Sequence, residues 1–197
     1  MAITLAKGQT INLAKPTTGA GLTKVRMGLG WDTKTVEKRS LFGGTRLVQK
    51  AIDLDASALL VGGGQVREIV YFGQLRSKDA SIQHTGDNLT GAGDGDDESI
   101  TVDLTRVSSW VEHIVFTVNS YSGQPFTDID NAFVRVVDST DRDSELGRFT
   151  LTGSGLHTAL VMARVSRTPA GWTFTAIGTP GQGRTANQLI PLALQSL

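Results

Sequence analysis

Apolar and polar residues alternate with a period of two along most of the chain. The alternation is clearest in Phe133–Val137 and Thr173–Ile177, where every second side chain is apolar. A period of two is typical of β-strands that pack one face on a core. The pattern predicts strands at Gln9–Leu13, Lys24–Leu29, Asp53–Val61, Glu68–Phe72, His113–Asn119, Ala132–Asp138, Thr158–Ser166 and Trp172–Ile177.

Glycines and polar clusters separate these predicted strands. The run Gly62–Gly64 predicts a tight hairpin turn, and only two segments favour helix, a short turn around Thr105–Trp110 and the end of the chain, Thr185–Leu197. Many short strands with frequent turns indicate an all-β, two-sheet sandwich. We therefore expect one sandwich domain at residues 1–178 and a helical tail at residues 179–197 that packs on it.

One segment of the expected domain, residues 33–52, is rich in basic side chains and is predicted to be an inserted loop. Five positive charges face the single acidic side chain of Glu37. The basic residues are Lys34, Lys38, Arg39, Arg46 and Lys50. Such a segment either docks on an acidic partner or an anionic membrane surface, or it is a solvated insertion.

The most informative chemistry lies in residues 86–98, which combine glycines with five carboxylates and no basic side chain. The acidic residues are Asp87, Asp94, Asp96, Asp97 and Glu98. Carboxylates packed this closely repel one another unless a cation offsets their charge. Oxygen ligands on a flexible, glycine-rich loop suit calcium better than magnesium. The pattern predicts a calcium loop, and the alternative is a solvated acidic hairpin tip.

The overall composition excludes several other classes of protein. Basic and acidic residues balance at 19 each, so the net charge creates no field that favours nucleic acid. With no cysteine, the chain has no disulfide scaffold, thiolate metal site or cysteine nucleophile. The N-terminus lacks the pattern of a signal peptide, and no apolar run reaches the length of a membrane span. A cytoplasmic protein is therefore expected.

Four segments, taken together and in order, match a known family. They are Gly28–Asp32, Asp53–Ala58, His84–Glu98 and Asn131–Arg135. Through them the chain resembles the TerD family of bacterial tellurium-resistance and stress-response proteins over most of residues 1–178. Beyond Gly178 the chain is similar to the longer, TerZ-like members of that family.

The resemblance implies a β-sandwich that binds calcium, expected as two ions, with acidic loops clustered at one end. The implied ligands come from the acidic run and from three adjoining segments. They are Asp32, Asp53, Asp55, Asp87, Asn88, Asp94, Asp96, Asp97, Glu98 and Asn131. Strand alternation adds that Asp53 and Asp55 point to the same face, while Leu54 turns to the core.

The resemblance also implies a cytoplasmic protein that associates with other Ter-type proteins near the inner membrane, in a family with no established enzymatic reaction. We expect a metal-dependent binding or scaffold module without catalytic residues. One alternative is a carbohydrate- or small-ligand-binding sandwich with structural calcium, for which 6% aromatic residues is thin support. The other is a metal-assisted hydrolase, which needs an open coordination position beside a base.

Overall fold

The computed structural model describes residues 3–15, 18–33, 35–39, 45–49, 52–86, 95–151 and 155–197. Its strands, in chain order, are β1 (Ile3–Thr4), β2 (Thr10–Asn12), β3 (Lys24–Thr33), β4 (Thr35–Arg39), β5 (Thr45–Gln49), β6 (Leu54–Gly62), β7 (Gln65–Val70), β8 (Ile82–His84), β9 (Glu98–Asp103), β10 (His113–Ser120), β11 (Ile129–Asp138), β12 (Ser144–Thr150), β13 (Ala159–Thr168) and β14 (Gly171–Gly181). Short 3₁₀ segments lie at Phe126–Asp128 and Ala186–Leu189, and helix α1 spans Ile190–Gln195.

Twelve of these strands form two six-stranded sheets. The first sheet has the order β1-β12-β11-β3-β9-β8, and the second has the order β2-β14-β13-β10-β6-β7. Neighbouring strands are antiparallel except β1 and β12, which run parallel. The prediction of an all-β, two-sheet sandwich is confirmed.

The predicted Gly62–Gly64 turn joins β6 to β7. Gly62 pairs with Gln65, so Gly63 and Gly64 form a two-residue loop, with φ angles of +63° and +70°. Positive φ at both positions is the mark of a type I′ turn, and glycine adopts it without a steric penalty.

The core lies between the facing surfaces of the two sheets. In β3 the odd-numbered side chains from Val25 to Trp31 are buried there, so the even-numbered positions from Arg26 to Asp32 face outward. In β6 the even-numbered residues from Leu54 to Leu60 enter the same cluster. This alternation decides which side chains of each strand reach the outer faces of the sandwich.

The C-terminal tail covers the outer face of the second sheet. There Leu59 and Val115 form a second apolar cluster with Ala186 and Ala193 of the tail. Strand β6 is buried along its whole length because the core covers one face and the tail covers the other. The predicted boundary after residue 178 falls inside β14, which continues to Gly181. Among the described residues, no helix is long and apolar enough to cross a bilayer.

The helical turn predicted around Thr105–Trp110 is wrong. Residues 104–110 form turns and a bend instead of a helix. The carboxylate of Asp103 accepts hydrogen bonds from the backbone N and from Oγ1 of Thr105, at 3.1 and 2.6 Å. Because such local side-chain bonds offer the backbone an alternative partner, they compete with helix formation.

The prediction of a loop across residues 33–52 is also wrong. Strands β4 and β5 pair there as an antiparallel hairpin, with Thr35 opposite Gln49 and Arg39 opposite Thr45. Threonine and valine are frequent in this segment and favour strands, whereas its charge was the basis for predicting a loop. The docking role expected for the segment stays a prediction.

Candidate metal centre

The end of the acidic run is fixed along strand β3. The backbone N of Asp97 donates to the carbonyl of Leu29 at 2.8 Å, and Oδ2 of Asp97 accepts from the backbone N of Trp31 at 2.9 Å. Gly95, just before, has a φ of +101°, which only glycine adopts readily. The run therefore returns to the first sheet across the outward face of β3.

Two glycines of β3 make room for this close approach. A Cβ atom at Gly28 would overlap the carboxylate of Asp96. A Cβ atom at Gly30 would lie 2.5 Å from the carbonyl oxygen of Gly95, closer than real Cβ contacts allow. The Gly-Leu-Gly sequence is thus explained by the acidic chain that crosses it.

A cavity of about 380 Å³ opens beside this crossing, on the outer face of the first sheet. Asp32, Asp97, Asn131 and the backbone of Gly95 border it. The rest of its wall consists of Trp31, Phe133, Arg148 and Thr150. The cavity therefore brings together three of the predicted ligands, which come from β3, the acidic run and β11.

Asn131 reaches the cavity through an irregularity in β11. The pairing register with β3 shifts between Asp130 and Phe133, and Asn131 has a φ of +52°. Asparagine is one of the few residues with a side chain that tolerate this region. Its Nδ2 donates to Oδ2 of Asp32 at 2.7 Å. The bulge thus places an amide beside the carboxylate of Asp32.

Asp97 lies among negative charges. Burial raises the pKa of its carboxyl group, and the nearby carboxylates of Asp32, Asp96 and Glu98 raise it further, whereas the hydrogen bond from Trp31 lowers it. A raised pKa means that the folded protein disfavours the ionised form of Asp97. A bound cation would reverse that effect by offsetting the surrounding negative charge.

Arg148 brings a positive charge to the wall of the same cavity. Its Nη2 lies 3.0 Å from Oε2 of Glu145, and its guanidinium stacks 4.0 Å from the ring centroid of Phe133. Glu145 also pairs with Arg135 at 3.2 Å, so one carboxylate is shared by two guanidinium groups, and Arg148 adds positive charge to the wall that Asp32 and Asp97 border.

Asp96 turns away from the cavity and lies between two arginines. Its carboxylate forms ion pairs with Arg26 and with Arg135, whose Nε lies 2.6 Å from Oδ1. The Asp96 side chain is only 5% exposed. Protein side chains thus already compensate the charge of this predicted ligand.

Glu98 connects the two sheets. Its side chain is buried, and Oε2 accepts from the backbone N of Ala56 in β6 at 2.7 Å. The same oxygen lies 3.5 Å from Nε2 of His84. Because Nδ1 of His84 accepts from the backbone N of Gly86 at 3.0 Å, the ring proton is on Nε2, which lies 3.1 Å from the carbonyl oxygen of Ala56.

Asp53 and Asp55 lie at the start of β6, with Leu54 in the core as predicted. Asp55 pairs with Asn119 of β10 and accepts from Nδ2 of that residue at 3.0 Å. The carbonyl of Asp53 accepts from the backbone N of Tyr121 at 3.1 Å. Asp55 therefore belongs to the outer face of the second sheet, whereas Asp32 and Asp97 belong to that of the first.

The other predicted ligands, Asp87, Asn88 and Asp94, lie outside the described residues. Within the described part of the chain, no three histidine or acidic side chains converge to form a complete metal site. The cavity supplies the side-chain oxygens of Asp32, Asp97 and Asn131, and a complete site needs further donors. The full ligand set stays a prediction.

Sequence analysis does not predict the arginine partners of Asp96. Arg26 and Arg135 lie 70 and 39 residues from it in the sequence. A signal is nevertheless present, because both arginines occupy outward-facing positions, Arg26 on the glycine strand β3 itself and Arg135 on its neighbour β11. Basic side chains on the face that receives an acidic run are candidates for its anchors.

Comparison with known proteins places these features in context. The TerD domain family model matches residues 1–191. The chain is 43% identical to tellurium resistance protein TerZ of Serratia marcescens over 188 residues, 95% of this chain and 94% of that protein. It is 40% identical to stress response protein SCP2 of Bacillus subtilis, covering 90% and 92% of the two chains. A solved homologue of telluride resistance protein (TerD) from Streptomyces coelicolor A3(2) has the same fold, with a TM-score of 0.68, 22% identity, and coverage of 86% and 96%.

Proposed function

The chain belongs to the TerD family, and we propose that it is a calcium-binding, non-catalytic module of a bacterial stress-response assembly. The relatives named above are resistance and stress-response proteins. Calcium would bind at the cavity beside the acidic run, with Asp32, Asp97 and Asn131 as ligands.

The observation that carries the proposal is the shared cavity of Asp32 and Asp97. Two carboxylates and an amide supply hard oxygen donors, which calcium prefers. Calcium takes about six to eight oxygen ligands, more than these side chains provide, so we assign the remainder to Asp87, Asn88 and Asp94. Magnesium suits such a loop less well, because it demands a stiff octahedron and keeps its waters.

The bound ion supplies positive charge, and the chain's own residues do the rest. Trp31 orients Asp97 through its backbone N–H, and Asn131 orients Asp32 through its amide. With its carboxylates neutralised, the loop becomes a surface that can associate with other Ter-type proteins. The basic segment Lys34–Lys50 is a second candidate surface, directed at an acidic partner or at the headgroups of the inner membrane.

Isothermal titration calorimetry near neutral pH tests the calcium site. We expect Asp97→Asn and Asp32→Asn each to weaken calcium binding by about tenfold or more, a loss of at least about 1.4 kcal/mol. Asp141→Asn is the matched control, because it removes one negative charge at an exposed turn that does not border the cavity. Two ions per chain are expected in the parent.

The proposal is wrong if the parent protein binds no calcium near neutral pH. It is also wrong if Asp97→Asn and Asp32→Asn bind calcium as tightly as Asp141→Asn. A loss of binding in all three variants would indicate a general effect of net charge, and that outcome would likewise overturn the assignment of the ligands.

A further inference from the structure

A second, smaller cavity of about 150 Å³ lies on the outer face of the second sheet, under the start of the C-terminal tail. Asp55, Ser57 and Asn119 form its floor. Tyr71 and Phe72 form one wall, and residues 185–187 of the tail form the other. The cavity therefore combines a polar, buried floor with an aromatic wall.

The floor holds a hydrogen-bond acceptor that the described residues do not satisfy. Asn119 is 1% exposed, and its Nδ2 donates to Oδ2 of Asp55 at 3.0 Å and to the carbonyl of Arg184 at 2.8 Å. Both amide hydrogens are thus used, and Oδ1 is buried without a partner in the described structure. Buried polar atoms are normally paired, so Oδ1 points to a missing donor.

A neighbouring residue repeats the same feature. Thr117 lies two residues from Asn119 on the same face of β10 and pairs with Ser57 of β6. Its Oγ1 is also buried without a partner in the described part of the chain. Thr117 thus adds a second unpaired oxygen beside the floor, and the floor itself combines the oxygens of Asp55, Ser57 and Asn119 with the negative charge of the Asp55 carboxylate.

Such a floor selects a ligand that donates hydrogen bonds and carries positive charge. An ammonium group has three N–H donors and no acceptor, so it matches the floor. The rings of Tyr71 and Phe72 favour an organic cation, because aromatic faces attract ammonium groups and contact alkyl carbon. The volume is below that of drug-sized pockets, which limits the ligand to a short chain.

The aromatic wall is part of a small ring cluster. Tyr71 and Phe72 meet edge to face at 5.3 Å between ring centroids, and Phe72 meets Tyr121 at 6.0 Å. Phe72 is 38% exposed and Tyr121 is 52% exposed, so the cluster borders solvent at the mouth of the cavity. The tail closes the opposite side, because Asn119 binds the carbonyl of Arg184.

From this geometry we propose that the cavity beneath the tail binds a short primary alkylammonium group, with Asp55 and Asn119 as its polar contacts and Tyr71 and Phe72 against its alkyl chain. The ligand is either a free small amine or the end of a lysine side chain. The proposal does not depend on calcium binding, since the cavity lies on the other sheet.

Calorimetry on the full chain, saturated with calcium, tests the proposal with n-propylammonium chloride as the probe. We expect saturable binding that is weakened by about tenfold or more in Asp55→Asn and in Phe72→Ala, and unchanged in the charge-matched control Asp141→Asn. The neutral isostere n-propanol should bind at least about tenfold more weakly than n-propylammonium. Phe72 is partly exposed, so its variant keeps the test valid if Asp55→Asn fails to fold.

A second titration, with Nα-acetyllysine methylamide, distinguishes the two sources of the ligand. Tighter binding than n-propylammonium indicates a lysine side chain of a partner, and weaker binding indicates a free amine. Absence of saturable n-propylammonium binding, or equal binding of n-propanol, would overturn the proposal. Asp55→Asn that loses calcium binding while retaining n-propylammonium binding would assign Asp55 to calcium and would overturn it as well.

Discussion

Asp79 and Asp97 are two partly buried carboxylates that the fold treats in opposite ways. Asp79 accepts five hydrogen bonds from Ser77, Ser81 and Ser108, at 2.6 to 2.9 Å. Burial raises the pKa of Asp79, but the bonds from these serines outweigh it and hold the pKa well below its usual range. Asp97 accepts from Trp31 but lies among carboxylates that raise its pKa.

The difference separates a carboxylate held in its ionised form by donors of its own loops from one whose ionised form the fold disfavours. Asp79 has its charge satisfied by donors of its own loops, and Asp96 has its charge satisfied by Arg26 and Arg135. Asp97 shares its surroundings with Asp32 and other acids instead. Described serines and arginines compensate the carboxylates of Asp79 and Asp96, whereas Asp97 is a carboxylate whose ionised form the fold disfavours and at which the proposed calcium ion would act.

The largest expected effect is the loss of the Asp79 site. Asp79→Ala leaves the donors of Ser77, Ser81 and Ser108 without an acceptor, and the two serines at 77 and 81 are buried. We expect the free energy of unfolding to fall by about 3 kcal/mol, because unsatisfied buried donors cost about 1–3 kcal/mol each and their costs overlap. Urea unfolding should give the same loss with and without calcium. A loss that calcium restores would break the distinction from Asp97.

The next effect concerns the arginine anchor of the acidic run. Asp96→Asn keeps the shape but leaves Arg26 with only Asp143 and Arg135 with only Glu145 as carboxylate partners, so we expect a loss of about 1 kcal/mol in the free energy of unfolding. Urea unfolding in calcium-depleted buffer measures this loss. A variant as stable as the parent, with calcium binding abolished, would show that Asp96 acts as a ligand.

The secondary structure could be predicted from the sequence where a short segment has a clear pattern of its own. Alternation predicts β10 and β14, and the glycines at 62–64 predict the turn between β6 and β7. Alternation does not predict β12, Ser144–Thr150, because four of its seven residues are charged or polar and only Leu146 and Phe149 are large and apolar. Its pairing is decided by its partner β11. Residues 35–49 also form paired strands, although their many charged side chains had indicated a loop.

The sequence predicts which residues could form the site, but it predicts only part of their arrangement in space. Alternation places Asp53 and Asp55 on one face of β6, but it does not say which sheet β6 joins, since that depends on contacts distant in sequence. Likewise, Arg26 and Arg135 are distant from Asp96 in the sequence and contact it only in the folded protein. The bulge that brings Asn131 to Asp32 depends on the register between β11 and β3, which a single sequence does not reveal.

The stability that Asp79 and Asp97 contribute should also depend on pH in opposite ways, and we expect this effect to be smaller. The depressed pKa of Asp79 contributes stability above its ordinary value of 3.8, and this contribution is lost as the pH falls below that value. The raised pKa of Asp97 has the opposite sign, so the calcium-free protein loses stability as the pH rises above 3.8 through the folded-state pKa. Urea unfolding from about pH 3 to 7 in calcium-depleted buffer should show both slopes.

Two variants assign these slopes to their residues. In Asp79→Asn, the free energy of unfolding should no longer fall as the pH is lowered. In Asp97→Asn, it should no longer fall as the pH is raised. If Asp97→Asn leaves the pH profile unchanged, the neighbouring carboxylates do not destabilise the ionised Asp97 in the calcium-free fold.

The most direct test of the central claim is the stability of the parent and Asp97→Asn with and without calcium. Without calcium, Asp97→Asn should be more stable than the parent, because it removes a repelling charge while its side-chain oxygen still accepts from Trp31. At free calcium a hundredfold above its Kd, the parent should gain about 2.7 kcal/mol and the variant far less. A parent that gains nothing from calcium, or a variant that gains as much as the parent, would contradict the account.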